Sequence, residues 1–416
     1  MTPYPTTREK TMTSSLRPTG ARGLIALTAV LGLGLASCAA PEEEGADSGS
    51  AQSGDGSADG PIRIGVNIEL SGPAAVQGTA YRNAVELVAE QINEDGGIDG
   101  RELELIVRDN KSDPTEALQV AKGMVENDDV VAIVGGGSSP TTMSTIEYVQ
   151  DAGIPIVSMG SSDAIVNPVE ERGYIFKVPA GTDLVIDRML QEFEPEGIER
   201  VGFISVDNPY GEAGLSAFNQ RAPEAGIEIT GTEKFQAADK DYTSIVTKLV
   251  GDDPDALIVW AIPPGAGIVA QNVASSGFTG PVYYDPGAGA ELFIRGAGDA
   301  AEGAQLVHPA VLVADQIEGA PNQEEMVSFH EDYTEAYGEY SGFASYGADS
   351  LGMIVQAIED SGSTDPEAIR DGLEEMEYVG VTGVYSMSAE DHGALDPDAL
   401  VLVTVTDGEW QLVDER

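Results

Sequence analysis

Two successive series of short apolar runs and amphipathic stretches constrain this chain more than any other feature. From residue 61, β-rich runs at 62–70, 103–107, 130–134 and 154–158 alternate with helical patterns at 79–93, 113–125 and 141–150. After residue 199 the rhythm returns. Strands are predicted at 201–206, 227–230, 256–261 and 282–284, around helices near 210–221, 245–250 and 265–276. The strand runs do not alternate polar with apolar, as expected of parallel strands covered on both faces. Two βαβ series in succession predict an α/β protein of two doubly wound parallel-sheet lobes rather than one large sheet. Helical stripes at Met326/Phe329/Tyr333/Tyr337 and Leu351/Ile354/Val355/Ile358, then strands at 399–405 and 410–413, finish the chain.

The turns between these elements carry the chemistry. Asp113 and Glu116 have capping-box spacing, Pro114 stands at the first helical position, and Ala117, Val120, Ala121, Met124 and Val125 fall on one stripe. Gly135-Gly136-Gly137-Ser138-Ser139-Pro140 follows a strand and opens a helix, with Ser139 expected as its cap and Pro140 as its first residue. Such a turn offers backbone N–H groups and the positive end of a helix dipole, which suits a carboxylate. Ser158-Met159-Gly160-Ser161-Ser162-Asp163 makes a second hydroxyl-rich turn after the next strand. Neither turn contains a basic residue, so the pair predicts neutral recognition of a small carboxylate or amide. Tyr210, in Asp207-Asn208-Pro209-Tyr210-Gly211, is either an aromatic facing a ligand from the second half or a packing residue at a helix start.

Other chemistries find little support. With 21 Lys+Arg against 71 Asp+Glu the formal charge is −50, and such a polyanion repels phosphate backbones, which excludes nucleic acid as a partner. One cysteine excludes an internal disulfide and multi-cysteine zinc sites. His308, His330 and His392 lack ligand spacing, and His308, before Pro309, reads as a crossover residue. The Gly-rich stretch lacks the P-loop Lys and the GxGxxG spacing. No Gly-x-Ser-x-Gly elbow occurs. Asp109-Asn110-Lys111-Ser112-Asp113 has Pro114 where a calcium loop needs its turn glycine, so it reads as a strand end plus a helix cap. No metal, cofactor or catalytic residue is expected.

Arg17 and Arg22 precede a small-and-apolar run over 23–37 that ends at Cys38. The run is about fifteen residues, short of the roughly 20 that span a bilayer, and its order is that of a secretory signal. Leu35-Ala36-Ser37-Cys38 resembles the lipobox of bacterial lipoproteins. That resemblance implies that residues 1–37 are removed and that Cys38 carries a lipid holding the protein at a membrane from outside. Residues 38–60, mostly Ala, Gly, Ser, Asp and Glu, are expected to be a flexible tether.

Ser71-Gly72-Pro73, Asn93-Glu94-Asp95-Gly96-Gly97-Ile98-Asp99-Gly100-Arg101, Asp109-Asn110-Lys111-Ser112-Asp113-Pro114 and Tyr210-Gly211 stand in a distinctive order and spacing. The chain from 61 onward thereby resembles the leucine/isoleucine/valine-binding proteins, the type I periplasmic binding components of branched-chain amino acid ABC transporters. The resemblance implies two lobes joined by a three-segment hinge, closing over a small ligand that is delivered to a permease without catalysis. It implies an N-terminal lobe of 61–180 plus 310–399, a C-terminal lobe of 181–309 plus 400–416, and a monomer. It also implies that Ser139, Gly160 and Ser162 hold the ligand carboxylate and that Tyr210 closes from the other lobe. Asp285, one position out of register, is the acid available for an ammonium. The family's aromatic after Ser-Gly-Pro is replaced by Gln77, a tyrosine is missing around Ile262-Pro263-Pro264, and the first-lobe disulfide is absent. These departures leave amides, urea or aromatic acids open beside branched-chain amino acids. A sensor subunit reporting to a membrane receptor is the alternative role, and a secreted α/β enzyme the third.

Overall fold

Strands that are apolar throughout pack only where both faces are covered, and the computed structural model builds two sheets of this kind. It describes residues 60–413. The signal sequence, Cys38 and the tether as far as residue 59 lie outside the described residues. Five parallel strands form the first sheet: β1 (Ile62–Ile68), β2 (Leu103–Asp109), β3 (Ala132–Gly135), β4 (Ile156–Ser158) and β5 (Ile175–Lys177), in the order β2-β1-β3-β4-β5. Every residue of β3, β4 and β5 is buried. Helices α1 (Ala75–Glu94), α2 (Pro114–Asn127) and α3 (Ser139–Ala152) connect the strands.

α2 shows how local sequence sets a boundary. Asp113 accepts the N–H groups of Thr115 at 2.8 Å and Glu116 at 3.0 Å, and Pro114 needs no donor partner at the first position. Its stripe of Ala117, Ala121 and Met124 is buried against the sheet. The reciprocal half of the expected capping box does not form. Glu116 instead pairs with Lys111 at 3.3 Å.

From β5 the chain passes through α4 (Thr182–Gln191) and α5 (Phe193–Glu196) into the second sheet. There β6 (Arg200–Val206), α6 (Pro209–Glu224), β7 (Glu228–Phe235), α7 (Thr243–Gly251), β8 (Ala256–Trp260), α8 (Gly265–Ser276), β9 (Val282–Tyr284), α9 (Glu291–Ala297) and β10 (Gln305–Pro309) continue the alternation. The chain then returns to the first lobe. α10 (Gln323–Tyr337), α11 (Ala344–Ser361), α12 (Pro366–Glu374) and the hairpin of β11 (Glu377–Val379) with β12 (Val384–Ser386) follow, and α11 packs along α1 and reaches β3 and β4. Finally β13 (Leu400–Thr406) and β14 (Glu409–Leu412) add antiparallel edge strands, giving the order β14-β13-β10-β9-β8-β6-β7. The chain therefore passes between the two lobes three times: after β5, after β10 and before β13. No helix among the described residues is long and apolar enough to cross a membrane.

Candidate functional site

In doubly wound sheets, ligands are taken at the carboxyl ends of the strands, where the connecting turns open. Here those ends face one shared cavity of ≈ 240 Å³. The first lobe contributes Gln77, Ser112, Ser138, Ser139 and Ser161, each in or just past the turn that follows a strand, and Thr182 stands on the first passage between the lobes. The second contributes Val206 at the end of β6, Tyr210 in the first turn of α6, Trp260 at the end of β8 and Asp285 just after β9. Phe343 and Tyr346, at the start of α11, complete the wall. Among the described residues that line the cavity there is no Lys, Arg or His, and Asp285 is the single carboxylate.

Four of the six expected site residues, Gln77, Ser139, Tyr210 and Asp285, line this cavity. Gly160 and Ser162 sit just behind the wall, which Met159 and Ser161 form instead. They remain in contact with the site. The Ser162 N–H donates to Ser139 Oγ at 3.2 Å, and a β-carbon on Gly160 would stand 3.3 Å from the Ser139 Cα. The two hydroxyl-rich turns thus meet at Ser139, whose one recorded bond uses it as an acceptor and leaves its own proton for a ligand.

Two local expectations are corrected. Ser139 is the first helical residue of α3, and Ser138 takes the cap position without a side-chain cap bond. The backbone donors of that turn are also not free. Glu69, buried at the end of β1, accepts the N–H of Gly137 at 3.2 Å on Oε2 and that of Ser138 at 3.3 Å on Oε1. Oε1 also receives the Thr141 hydroxyl at 2.6 Å and Asn110 Nδ2 at 3.3 Å. The protein's own carboxylate occupies the anion site that the helix terminus offers. Burial pushes the Glu69 carboxyl above its ordinary range, and the bond from Thr141 works in the opposite direction. Gly137 has no room for a side chain, since a β-carbon there would meet the Tyr81 ring at 1.9 Å. The would-be calcium loop serves the same wall. Asp109 accepts from the Leu70 and Lys111 N–H groups and from the Ser71 hydroxyl, while Ser112 Oγ donates to Ser71 O at 2.7 Å.

Asp285 sits opposite, almost fully buried. Its Oδ1 accepts the Ala261 N–H and its Oδ2 the Gly287 N–H, both at 2.9 Å. Burial pushes this carboxyl up to about 7 against the smaller pull of those two amides. Tyr210 packs its ring on Trp260, with centroids 5.9 Å apart. Its hydroxyl is buried without a partner among the described residues, and a β-carbon on Gly287 would come within 2.2 Å of it. Tyr210 is therefore both a helix-start packing residue and part of the wall. His308 lies on β10 away from the cavity, with Nδ1 2.9 Å from Pro309 O and its pKa pushed down to about 4 by burial.

Sequence reasoning missed Tyr81, Trp260, Phe343 and Tyr346. The position of Trp260 at the last residue of a strand was a usable signal. A chain with 6% aromatic residues places five of them, these four and Tyr210, around this single cavity.

A model of the family described as periplasmic binding protein matches residues 61–409. The chain belongs to the periplasmic binding protein family. Its resemblance to the leucine/isoleucine/valine-binding proteins extends to curated relatives. This binding protein is 25% identical over 326 residues to a leucine-, isoleucine-, valine-, threonine- and alanine-binding protein of Pseudomonas aeruginosa, covering 77% of this chain and 84% of that one. An extracellular ligand-binding receptor from Rhodopseudomonas palustris HaA2 superposes with a TM-score of 0.79 at 26% identity, covering 85% of this binding protein and 100% of that chain. The branched-chain amino acid transporter substrate binding protein of Streptococcus pneumoniae, solved with isoleucine, superposes at 0.75 with 25% identity, covering 84% and 98%. These relatives are binding proteins, and solute binding is the role this chain shares with them.

Proposed function

We propose that this binding protein takes up one small polar solute, a branched-chain-type amino acid or a related small carboxylate or amide, outside the cytoplasm and hands it to the permease of an ABC importer. The observation that carries the proposal is the asymmetry of the cavity. Its first wall offers uncharged donors centred on Ser139, and its second wall offers one buried acid, Asp285. A carboxylate head fits the first and an ammonium the second, so a ligand bearing both leaves neither charge unpaired. Tyr210, Trp260, Phe343 and Tyr346 then enclose the apolar remainder. In this proposal Gly160 and Ser162 act through the backbone of their turn, and Gln77 supplies an amide beside the ligand body. Residues 61–180 with 310–399 and residues 181–309 with 400–416 form the two lobes that close on it. Cys38 carries the lipid that keeps the monomer at the membrane.

Isothermal titration calorimetry of the purified protein with L-leucine, L-isoleucine, L-valine, L-glutamine, L-phenylalanine, urea and benzoate tests the proposal. Saturable one-to-one binding of an amino acid, with the ligand recovered chemically unchanged, is expected. Binding of benzoate in preference to every amino acid would contradict the assignment of Asp285 to an ammonium, and turnover of the ligand would contradict transport.

A further inference from the structure

One buried cation, bonded to residues that line the cavity, belongs to neither ligand wall. Lys177 ends β5, and its side chain is only 2% exposed. An ammonium has three donors, and all three are used here. Nζ donates to Asp163 Oδ1 at 2.7 Å, to Ser161 O at 3.2 Å and to Ala180 O at 3.2 Å. The other Asp163 oxygen, Oδ2, accepts the Thr182 N–H at 2.8 Å. Burial pushes the Asp163 carboxyl up, but the Lys177 charge and these hydrogen bonds outweigh it and hold it below its ordinary range.

The groups on this cluster come from two places. Ser161 belongs to the turn after β4 that faces the ligand, next to Ser162, whose N–H reaches Ser139. Ala180 and Thr182 belong to the first passage between the lobes, and both also line the cavity. The chain that leads toward the third passage is anchored at the same spot. The Lys177 N–H donates to His392 O at 2.9 Å, the His392 ring stacks on Phe176 with centroids 4.3 Å apart, and Gly393 lies against the Lys177 stem. The ion pair thus ties a ligand-facing turn to the first of the three segments about which the lobes move, and the Lys177 backbone holds the chain that leads into the third.

We propose that Lys177 and Asp163 are positioning residues of the binding site, a rigid link through which occupancy of the Ser161–Ser162 turn is passed to the hinge and converted into lobe closure. The proposal rests on the reading of this chain as a hinged solute-binding protein. A buried pair is poor evidence of net stabilisation, since desolvation offsets most of the attraction. Its worth here lies in fixing geometry, because all its acceptors are in segments that closure must move together.

The test separates occupancy from closure in the purified full chain, with L-leucine, L-glutamine and L-phenylalanine as probes. Calorimetry reads occupancy, and small-angle X-ray scattering at saturating probe reads contraction. Asp163→Asn is expected to weaken binding on the order of tenfold, the scale of one charge-assisted hydrogen bond, and to lose most of the contraction even at saturation. The double variant Lys177→Met/Asp163→Asn leaves no orphaned charge and covers the case in which the single variant unfolds. It is expected to bind and not contract. A purely structural pair would lower the melting temperature yet keep full contraction at saturation, and that result overturns the proposal. A wild-type protein that binds a probe without contracting overturns the link but leaves the solute-binding reading intact. A wild-type protein that binds none of the probes overturns both.

Discussion

Asp285 makes the residue scale measurable through pH. Its folded carboxyl stands near 7 because burial disfavours the charged form. An acid raised in this way stabilises the fold fully only where both states are protonated, below about 4. Its contribution then falls as pH rises towards 7 and is flat above that. Asp349, raised to about 6 by burial, adds a second slope of the same sign between about 4 and 6. Under the proposed assignment of Asp285 to a ligand ammonium, binding runs the other way, because an ammonium needs the ionised carboxylate. Affinity for an amino acid is therefore expected to fall roughly tenfold from pH 8 to pH 6, as read by calorimetry. Asp285→Asn should abolish that dependence and bind more weakly throughout. On the opposite wall, Ser139→Ala is expected to cost on the order of 1–3 kcal/mol of binding, the worth of one hydrogen bond to a charged group. An unchanged dissociation constant would remove Ser139 from the site.

At the scale of elements, Glu69 decides the shape of the turn that opens α3. Both its oxygens are engaged, with Gly137 N–H on one and Ser138 N–H and Thr141 hydroxyl on the other. In Glu69→Gln one of those positions becomes an NH₂ facing a donor. A loss of about 1–3 kcal/mol in chemical denaturation is expected, accompanied by weaker ligand binding as the turn relaxes. Nothing in the sequence exposed this role. The partners of Glu69 in that turn lie 68 to 72 residues further along the chain, and a lone acid at a strand end has no local pattern. The alternation itself was legible because four- to eight-residue apolar runs and 3.6-residue stripes repeat along the chain. β4, β5, β9, β11 and β12 have three residues each, too few for either period to show clearly, and three of those five, β5, β11 and β12, were missed. The site was half legible for a related reason. Strand-end turns announce themselves by Gly, Ser and Pro, which located Ser139 and Tyr210. The aromatic wall from α11 comes from a helix start some 200 residues away from Ser139, so only folding brings it there.

At the scale of the whole molecule, a formal charge of −50 sets the solvent condition under which the fold is most stable. Such self-repulsion acts over a Debye length of about 10 Å at 0.1 M salt and about 3 Å at 1 M. Raising NaCl across that range is expected to lift the melting temperature, by on the order of 5 °C for a few kcal/mol of relieved repulsion. A melting temperature that falls with salt would mean that specific ion pairs outweigh the net charge. The path of the backbone has a separate bearing on how the molecule is made. α11 covers α1 and reaches β3 and β4, yet it follows them by roughly 190 to 250 residues, and β10 meets its neighbour β13 only about ninety residues later. A polypeptide emerging from the ribosome in order therefore completes the strands of its first sheet by Lys177, yet leaves that sheet without α11, and the second without β13 and β14, until its last fifth has appeared. Neither lobe is finished by the segment that opens it, so both are expected to complete their folding only when the end of the chain is made.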